Sequence, residues 1–311
     1  MTIHRVLAGG ALAGAASLGY ALAEAHWYTL RHAAIPVLPP GSAPLRLLHI
    51  SDMHITARQR RKVEWVRRLA LLRPDLVAVT GDNFAFTDSM ETALEALEPL
   101  LAFPGAFVFG SHDYYSAIFH NPAAYLWRRI TGPPVGASQR GIARTPDLPT
   151  EAFAGVLTRA GWLDLDNARG SLTLGSTGLA TDLVGLADPH IGQDRLPPPA
   201  SHAGAQLVVG LVHAPYRHAV QALADDGARL VLAGHTHGGQ VALPGLGALV
   251  SNTDLPLRYA SGLHRWPAPG SAERGPTYLH VSAGLGTSPF APIRFAARPS
   301  AALLVLEGRR Q

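Results

Sequence analysis

The sequence of 311 residues contains no cysteine and a single lysine, Lys62, and the missing cysteine limits its chemistry most. Without thiols there is no disulfide, no thiolate zinc site, no iron–sulfur cluster and no cysteine nucleophile. Any bound transition metal must be held by histidine, aspartate, glutamate or asparagine. Fifteen histidines outnumber nine phenylalanines, so nitrogen ligands are plentiful.

Charge is also scarce, because only 15% of the residues are charged and the net charge is +4. A small and dispersed positive excess suits anionic partners such as phosphate groups or anionic lipid, and it does not predict a nucleic-acid partner. Apolar residues make up 47% of the chain, which is enough for a sizeable core and excludes disorder as the main state. The length suits one large domain or two small ones.

The amino-terminal segment 1–31 contains an apolar run over residues 6–25 with one acid, Glu24. A run of this length can just span a bilayer, and Trp27 and Tyr28 would lie at the interface, so the segment predicts membrane association with the side left open. A cleaved signal peptide is an alternative, because residues 21–23 have the small-x-small form. An alanine-rich helix packed on the domain is another. The proline-rich segment 32–44 is predicted to be a linker into a folded domain over 45–311.

Short apolar runs alternate with helical patterns early in the chain, and strands cluster late. This arrangement predicts an α/β or α+β layered domain around a central sheet. The strands that matter for the site are predicted at 45–50, 76–80, 106–109, 206–212 and 230–233, and helices at 58–72, 91–101, 151–160 and 217–224.

The same few polar residue types follow five of these strands. Carboxyl ends of strands are where α/β folds gather ligand sites, so one convergent site is predicted. Residues i and i+2 of an extended chain point to the same side, and one strand end can therefore aim two ligands at one place. The residues are Asp52 and His54; Asp82 and Asn83; Ser111, His112 and Asp113; His213; and His235 and His237.

These residue types suit a hydrolase with two divalent metal ions. Two such ions about 3.5–4 Å apart need a shared anionic bridge, and Asp82 on its Gly-Asp turn is the candidate. Oxygen and nitrogen ligands favour Mn, Fe or Zn over Mg or Ca. A hydroxide held by the metals would attack phosphorus in line.

Five ordered blocks of the sequence resemble those of the calcineurin-like metallophosphoesterases. The resemblance covers roughly 45–306, and two stretches, 234–244 and 282–295, are similar to the membrane-associated bacterial branch. It implies a sandwich of two β-sheets flanked by helices, preceded here by the apolar amino-terminal helix. The blocks are Asp52-x-His54, Gly81-Asp82-Asn83, Gly110-Ser111-His112-Asp113, His213 and Gly234-His235-Thr236-His237-Gly238-Gly239.

The resemblance also implies a role for each residue. His112 would donate a proton to the leaving group or present a positive charge to the phosphoryl group, and Asp113 would orient His112 by a hydrogen bond. The first metal would be held by Asp52, His54, Asp82 and His237, and the second by Asp82, His213 and His235.

One position departs from the family pattern, since Ser111 stands where an asparagine usually binds the second metal. A hydroxyl is a shorter and weaker ligand, so Ser111, Asn83 or a water would substitute and the second site is predicted to be weak. This departure keeps open a non-catalytic module that binds metal or phosphate. Asn83 is also a candidate contact to the substrate. Outside the blocks, His190 is predicted to reach over the site and contact the substrate as well.

The sequence therefore predicts a metal-dependent hydrolase of phosphate mono- or diesters, of phosphodiesterase or pyrophosphatase type. A membrane tether favours a lipid-linked or envelope substrate, and similar family members that split UDP-diacylglucosamine pyrophosphate make a lipid-nucleotide pyrophosphate one option. A nuclease of the same fold is a further alternative, which the dispersed arginines do not favour.

Overall fold

The computed structural model describes residues 14–119, 144–176, 178–199, 201–202, 204–267 and 275–309. The helices are α1 (14–24), α2 (Arg60–Arg68), α3 (Met90–Leu97), α4 (Ser111–Tyr114), α5 (Thr150–Arg159) and α6 (Arg217–Asp225). Short 3-10 helices lie at Leu69–Leu72, Thr87–Ser89, Glu98–Ala102, Pro189–Ile191, His237–Gly239 and Leu257–Tyr259. The strands are β1 (Thr29–Leu38), β2 (Leu45–Ile50), β3 (Leu76–Val79), β4 (Gly105–Phe107), β5 (Leu163–Asp164), β6 (Arg169–Leu174), β7 (Leu179–Leu186), β8 (Leu207–Val212), β9 (Leu230–Ala233), β10 (Ala242–Leu243), β11 (Gly247–Ala248), β12 (Gly262–Trp266), β13 (Thr277–Val281) and β14 (Ser300–Gly308).

Two six-stranded sheets organise these elements. The first has the order β1-β14-β2-β3-β4-β5 and the second the order β12-β13-β9-β8-β7-β6, while β10 and β11 form a separate hairpin. β2 to β5 are mutually parallel, and so are β7, β8, β9 and β13. The carboxyl ends of parallel strands share one edge of their sheet, so the loops that follow β2, β3 and β4 lie side by side, as do those after β8 and β9.

Alternating side chains build the core on both faces of each sheet. Leu47 and Leu304 of the first sheet pack with Val209 and Leu232 of the second in one buried cluster between the sheets. Side chains on the outer faces pack against the helices, which on the first sheet are α2, α3 and α5 and on the second α6. Such burial on both faces explains why these strands read as continuous apolar runs. The predicted fold class, two β-sheets flanked by helices, is confirmed.

The proline-rich segment 32–44, predicted to be a linker, is a strand over residues 32–38. β1 pairs in parallel with β14, with a register shift between Pro36 and Leu38. Proline lacks a backbone N–H and is tolerated on edge strands, and β1 lies at the edge of its sheet. Ile35, Val37 and Leu38 are buried. The linker prediction is wrong for this part, and the folded unit includes residues before 45.

The amino-terminal helix packs on a loop near the carboxyl terminus. The N–H of Arg294 donates to the Ala21 carbonyl at 3.0 Å, and the N–H of Ala296 donates to the Glu24 carboxylate at 2.8 Å. Residues 6–13 of the predicted apolar run lie outside the described residues. Within the described part of the chain, no helix combines the length and the apolar character that crossing a membrane requires.

Candidate active site

The loops after β2, β3, β4, β8 and β9 bring the predicted site residues together. The clearest marker is Asp82, which is buried after β3. Its Oδ2 lies 3.4 Å from His54 Nε2, 3.3 Å from His112 Nδ1 and 3.4 Å from His213 Nε2. Burial raises the pKa of Asp82, but His213 and His112 lower it more strongly, and the pKa lies well below its usual value. One carboxylate therefore meets three imidazoles that come from three different loops.

Asp52 forms a second centre beside the first. Its Oδ1 lies 3.6 Å from His237 Nε2, and His237 Nε2 lies 3.3 Å from His54 Nε2. Both oxygens of Asp52 accept the backbone N–H of His235 at 3.0 Å. Three groups of side chains present ligand atoms within 4.8 Å of one another: Asp52, His54 and His237; Asp52, Asp82 and His213; and His54, Asp82 and His112.

Hydrogen bonds to backbone carbonyls orient two of the histidines in this cluster. His213 Nδ1 donates to the Thr80 carbonyl at 2.6 Å, and His237 Nδ1 donates to the Gly286 carbonyl at 3.0 Å. This fixes the tautomer, so that each Nε2 presents a lone pair. The Nε2 atoms of His213 and His235 are buried with no hydrogen-bond partner among the described residues. Such atoms are costly unless they bind something, so the donor set fits a divalent cation.

The surroundings of His213 favour positive charge, whereas burial lowers the pKa of His54, His235 and His237. Burial lowers the pKa of His213, but Asp82 and Asp188 raise it, and its pKa lies well above the usual value. The pocket around Asp82 therefore stabilises a cation even against the cost of desolvation. A metal ion would take the place of this proton, since a ligating histidine must be neutral.

The backbone at the site is held in an uncommon conformation. Five site residues have positive φ angles: Asp52 (49°), His54 (40°), Asp82 (54°), His235 (69°) and His237 (51°). Left-handed backbone is costly for residues with a side chain and persists where tertiary contacts impose it, often at functional sites. Asp52 and His54 are therefore aimed by a left-handed turn after β2, and the predicted extended i, i+2 geometry is wrong.

Two glycines allow the loops to approach so closely. A side chain at Gly81 (φ 85°) would collide with the backbone of Gly110, and one at Gly110 would collide with Asp82 Oδ1 and the His213 ring. Gly81 and Gly110 thus let the turn after β3 pack directly against the turn after β4.

Asp113 is buried at the site, but its partners differ from those predicted. Its carboxylate accepts the backbone N–H groups of Asp82 (2.7 Å), Asn83 (2.8 Å) and Gly110 (2.9 Å), and the Asn83 side-chain amide at 3.0 Å. Among the contacts of the described residues there is no hydrogen bond between Asp113 and the His112 ring. Burial and the charge of Asp82 raise the pKa of Asp113 to about 7. Asp113 therefore orders the loops that carry Asp82, and the role predicted for it on His112 is wrong.

His112 is the most exposed imidazole in contact with the Asp82 carboxylate. Its side chain is 38% exposed, against 2% for His54 and 0% for His213. Its backbone N–H donates to Asp82 Oδ1 at 2.8 Å, and Ser111 Oγ lies 3.4 Å from its Nδ1. Burial lowers the pKa of His112, but the charge and hydrogen bond of Asp82 raise it above the usual value.

The remaining predicted residues lie around the same cluster. The Oδ1 of Asn83 is buried without a hydrogen-bond partner among the described residues, so it is a candidate oxygen ligand. The His190 ring lies 4.4 Å from the His235 ring, centroid to centroid, and the His235 ring lies 5.2 Å from that of His213. His190 thus reaches the side of the cluster where His213 and His235 meet.

Sequence reasoning missed two buried cations that support the loops. Lys62 Nζ donates to the Met53 carbonyl at 2.7 Å, between Asp52 and His54, and burial lowers the pKa of Lys62 to about 7. Arg294 donates to the carbonyls of Gly286 (2.6 Å) and His237 (3.0 Å). A signal for Lys62 is that it is the chain's single lysine and lies on the face of α2 that carries Val63 and Val66.

A chain of hydrogen bonds runs behind Asp52 into the interior. Ser51 Oγ donates to Asp52 Oδ2 at 2.5 Å, and Thr80 Oγ1 donates to Ser51 Oγ at 2.7 Å. His49 Nε2 lies 2.9 Å from Thr80 Oγ1, and His49 Nδ1 lies 2.8 Å from His280 Nδ1. Each hydroxyl has one proton, so His49 must donate through Nε2 and accept from His280. All donors in this chain point towards the Asp52 carboxylate.

Removal of the Thr80 hydroxyl should weaken the metal site. Thr80→Val keeps the shape of the side chain but removes the acceptor of His49 Nε2 and the donor to Ser51 Oγ. Outer hydrogen bonds to metal ligands contribute about 10–100-fold to metal affinity, so we expect a loss of this size for Mn²⁺ by calorimetric titration. Thr80→Ser should restore it. The matched control is Thr181→Val, because the buried Thr181 hydroxyl donates to the Leu179 carbonyl and has no other hydrogen-bond partner among the described residues. Equal affinity of Thr80→Val and the parent would contradict the expectation.

The buried histidine pair predicts how stability depends on pH. Burial lowers the pKa of His280 from 6.5 to about 4, with smaller effects of His264 and Arg31, and burial also lowers the pKa of His49. Between pH 6.5 and about 4, His280 is protonated in the unfolded chain and neutral in the folded chain. The free energy of unfolding is therefore highest above pH 6.5 and decreases as the pH falls to about 4.

We expect the urea midpoint of chelator-treated protein to fall across that range. His280→Asn should reduce the slope, whereas His32→Asn, at an exposed position of β1, should keep the parental slope. A parental slope in His280→Asn would show that the pair does not titrate in this way.

Comparison with known proteins agrees with this geometry. The sequence model of the calcineurin-like phosphoesterase family matches residues 45–239, which contain all of the candidate metal ligands. The chain belongs to the calcineurin-like phosphoesterase family. Membership indicates a hydrolase of phosphate esters, and the Asp and His groups of this phosphoesterase are compatible with divalent metal.

Three curated relatives extend beyond the family match. This phosphoesterase is 25% identical to phosphodiesterase YaeI of Escherichia coli, with 91% of this chain and 90% of the relative covered. It is 25% identical to the uncharacterized metallophosphoesterase YkuE of Bacillus subtilis, with 97% and 93% covered. A transmembrane protein with a metallophosphoesterase domain from Bos taurus is 27% identical, and the match covers 88% of this chain and 56% of that protein.

Proposed function

We propose that this chain is a phosphodiesterase that uses two divalent metal ions. The observation that carries the proposal is that one carboxylate, Asp82, is shared by two groups of candidate ligands. Its Oδ2 lies 3.4 Å from His54 Nε2, which groups with Asp52 and His237, and 3.4 Å from His213 Nε2, whose ring lies next to that of His235. A carboxylate shared in this way is what two neighbouring cations require. Imidazole and carboxylate ligands favour Mn, Fe or Zn.

When bound, the metal ions supply Lewis-acid polarisation of the phosphoryl group and activation of water. The chain's own residues do the rest. Asp113 and Gly110 hold the loop after β4 against Asp82. The hydrogen-bond chain that ends at Ser51 fixes the orientation of the Asp52 carboxylate. Asn83 and Ser111 supply oxygens for the ligand position that an asparagine fills in the family, and we propose that this weakens the second site.

His112 is the proton donor in this proposal. Its ring is exposed enough to meet a substrate, and the raised pKa keeps a proton available near neutral pH. Transfer of that proton to the leaving-group oxygen neutralises the developing alkoxide, which matters most for poor leaving groups. His190, next to His235, lies where it can contact the substrate from the other side.

We further propose attachment to a membrane through residues 6–25 and a lipid-linked or envelope phosphodiester as substrate. The described part of this run exposes Leu18 and Leu22 to solvent, and the bovine relative carries a transmembrane protein's name. A phosphate ester that lies in the membrane surface would then be within reach of a tethered site. Nucleic acid is not expected as a partner.

The test uses purified full-length protein that is stripped with a chelator and reloaded with Mn²⁺. We expect metal-dependent release of p-nitrophenol from bis-p-nitrophenyl phosphate, faster than from p-nitrophenyl phosphate. Stronger turnover of the monoester would favour a phosphatase. Tight Mn²⁺ binding without turnover of either compound would favour the non-catalytic module. A screen of phosphorylated lipids then addresses the substrate class.

A further inference from the structure

A groove of about 590 Å³ lies between the segment after α1 and one face of α2. Its lining is aromatic and basic, and none of the site residues described above contributes to it. The residues that matter are His26, Trp27, Tyr28, Arg61, Trp65 and Arg68.

The four arginines of α2 divide into two pairs with different surroundings. Arg60 forms two hydrogen bonds of 2.6 Å with Glu95, and Arg67 lies 2.9 Å from Glu98, so both are neutralised by acids next to them. Arg61 and Arg68 are exposed, line the groove and have no ion-pair or hydrogen-bond partner among the described residues. Seven residues separate them, about 10 Å along the helix axis. The helix thus directs its two uncompensated charges into the groove.

The groove as a whole keeps a positive balance. Glu64 is the one acid in its lining, against the two guanidinium groups. Guanidinium groups bind phosphate oxygens in a planar, bidentate manner, which makes such a pair a recognition element for phosphate. The ligand that fits this charge is a phosphate-bearing anion.

The aromatic residues and the helix before them indicate where that anion is held. Trp27 is 53% exposed, and the Tyr28 and Trp65 rings pack with centroids 5.8 Å apart. Amphipathic Trp and Tyr rings are enriched at membrane–water interfaces. α1, which leads directly into the groove, exposes Leu18 and Leu22. The apolar side chains of α1 are followed by the aromatic residues and then by the arginines of the groove. This order matches the acyl chains, the interface and the headgroups of a lipid surface.

We propose that this groove binds the headgroups of anionic phospholipids, with Arg61 and Arg68 as the residues that contact the phosphates. The site is separate from the metal centre, so the proposal does not rest on the proposed catalytic function. It gives the chain a preference for anionic surfaces in addition to any apolar insertion of its amino terminus, which is insensitive to headgroup charge.

The test compares two double variants that remove equal charge from the same helix. Full-length parent, Arg61→Gln/Arg68→Gln and Arg60→Gln/Arg67→Gln are partitioned onto phosphatidylcholine vesicles with and without phosphatidylglycerol. The measured quantity is the ratio of the two partition coefficients. A basic residue near an anionic surface contributes roughly fivefold, so we expect the groove variant to lose roughly 20-fold or more of this ratio. The control variant should keep most of it.

Each outcome decides for or against the groove. An equal loss of the partition ratio in both variants would mean that diffuse charge on α2 binds the vesicles. No loss in either variant would mean that the groove does not bind anionic lipid. Both results overturn the proposal. A free-phosphate site is distinguished by adding inorganic phosphate. If phosphate alone shifts the tryptophan fluorescence of the parent, but not of the groove variant, while the vesicle ratio is the same in both, the lipid assignment is wrong.

Discussion

Asp82→Asn should abolish metal-dependent turnover. The substitution keeps the shape of the side chain and the oxygen that accepts the His112 N–H, so the loop after β3 should keep its fold. It removes the charge that three imidazoles surround. Loss of a residue that merely orients a ligand costs about 10–100-fold, so loss of the shared ligand itself should lower kcat/KM by at least roughly 1000-fold.

The same variant should bind Mn²⁺ with lower affinity and lower stoichiometry in calorimetric titration. Asp166→Asn is the matched control, because Asp166 accepts the Phe109 N–H and the Tyr114 hydroxyl beside the site but belongs to none of the groups that could hold a metal ion among the described residues. Its Mn²⁺ affinity and turnover should stay close to those of the parent. Retained turnover in Asp82→Asn would remove Asp82 from the centre of the mechanism.

His112→Gln should separate proton donation from metal binding. Positioned proton donors contribute about 10²–10⁴-fold, so we expect kcat for a diester with an alkyl leaving group to fall by that range. The loss should be smaller for p-nitrophenyl esters, because p-nitrophenolate leaves with little help from a proton. A larger loss of kcat for the alkyl leaving group than for p-nitrophenolate is the behaviour expected of a general acid.

Metal titration of the same variant distinguishes a second role for His112. His112, His54 and Asp82 present ligand atoms that lie within 4.8 Å of one another, so His112 could also bind a metal ion. Unchanged Mn²⁺ affinity together with the leaving-group dependence would establish the proton donor. Weakened Mn²⁺ binding and equal losses on both substrates would instead make His112 a metal ligand.

The clustering of these aspartates and histidines could be predicted from the sequence because its information is local. Each of Asp52, Asp82, His213 and His237 follows a short apolar run that reads as a strand, and parallel strands bring their carboxyl ends together. The residue types after each strand and the parallel order of the strands are then enough to predict the cluster, without the backbone φ angles. The left-handed φ values at Asp52, Asp82 and His237 could not be predicted, since tertiary contacts between loops that are distant in sequence impose them.

What the sequence could not supply is the choice of hydrogen-bond partner. Asp113 lies next to His112 in the chain, yet its carboxylate turns to the N–H groups of Asp82 and Asn83, which the loop after β3 presents without another acceptor. The contact between His49 and His280 joins residues 231 positions apart, and no pattern links them. β1 was missed for a related reason, because the prolines that signal a linker are tolerated on an edge strand.

The strand pairing of β1 bears on the orientation of the protein. A flexible linker between α1 and the domain would allow the site to take many orientations relative to α1. Here only the turn at residues 25–28 separates α1 from β1, and α1 is itself fastened through Ala21 and Glu24 to the loop whose Arg294 supports His237. A surface that bound α1 would therefore also fix the orientation of the Asp and His cluster relative to that surface.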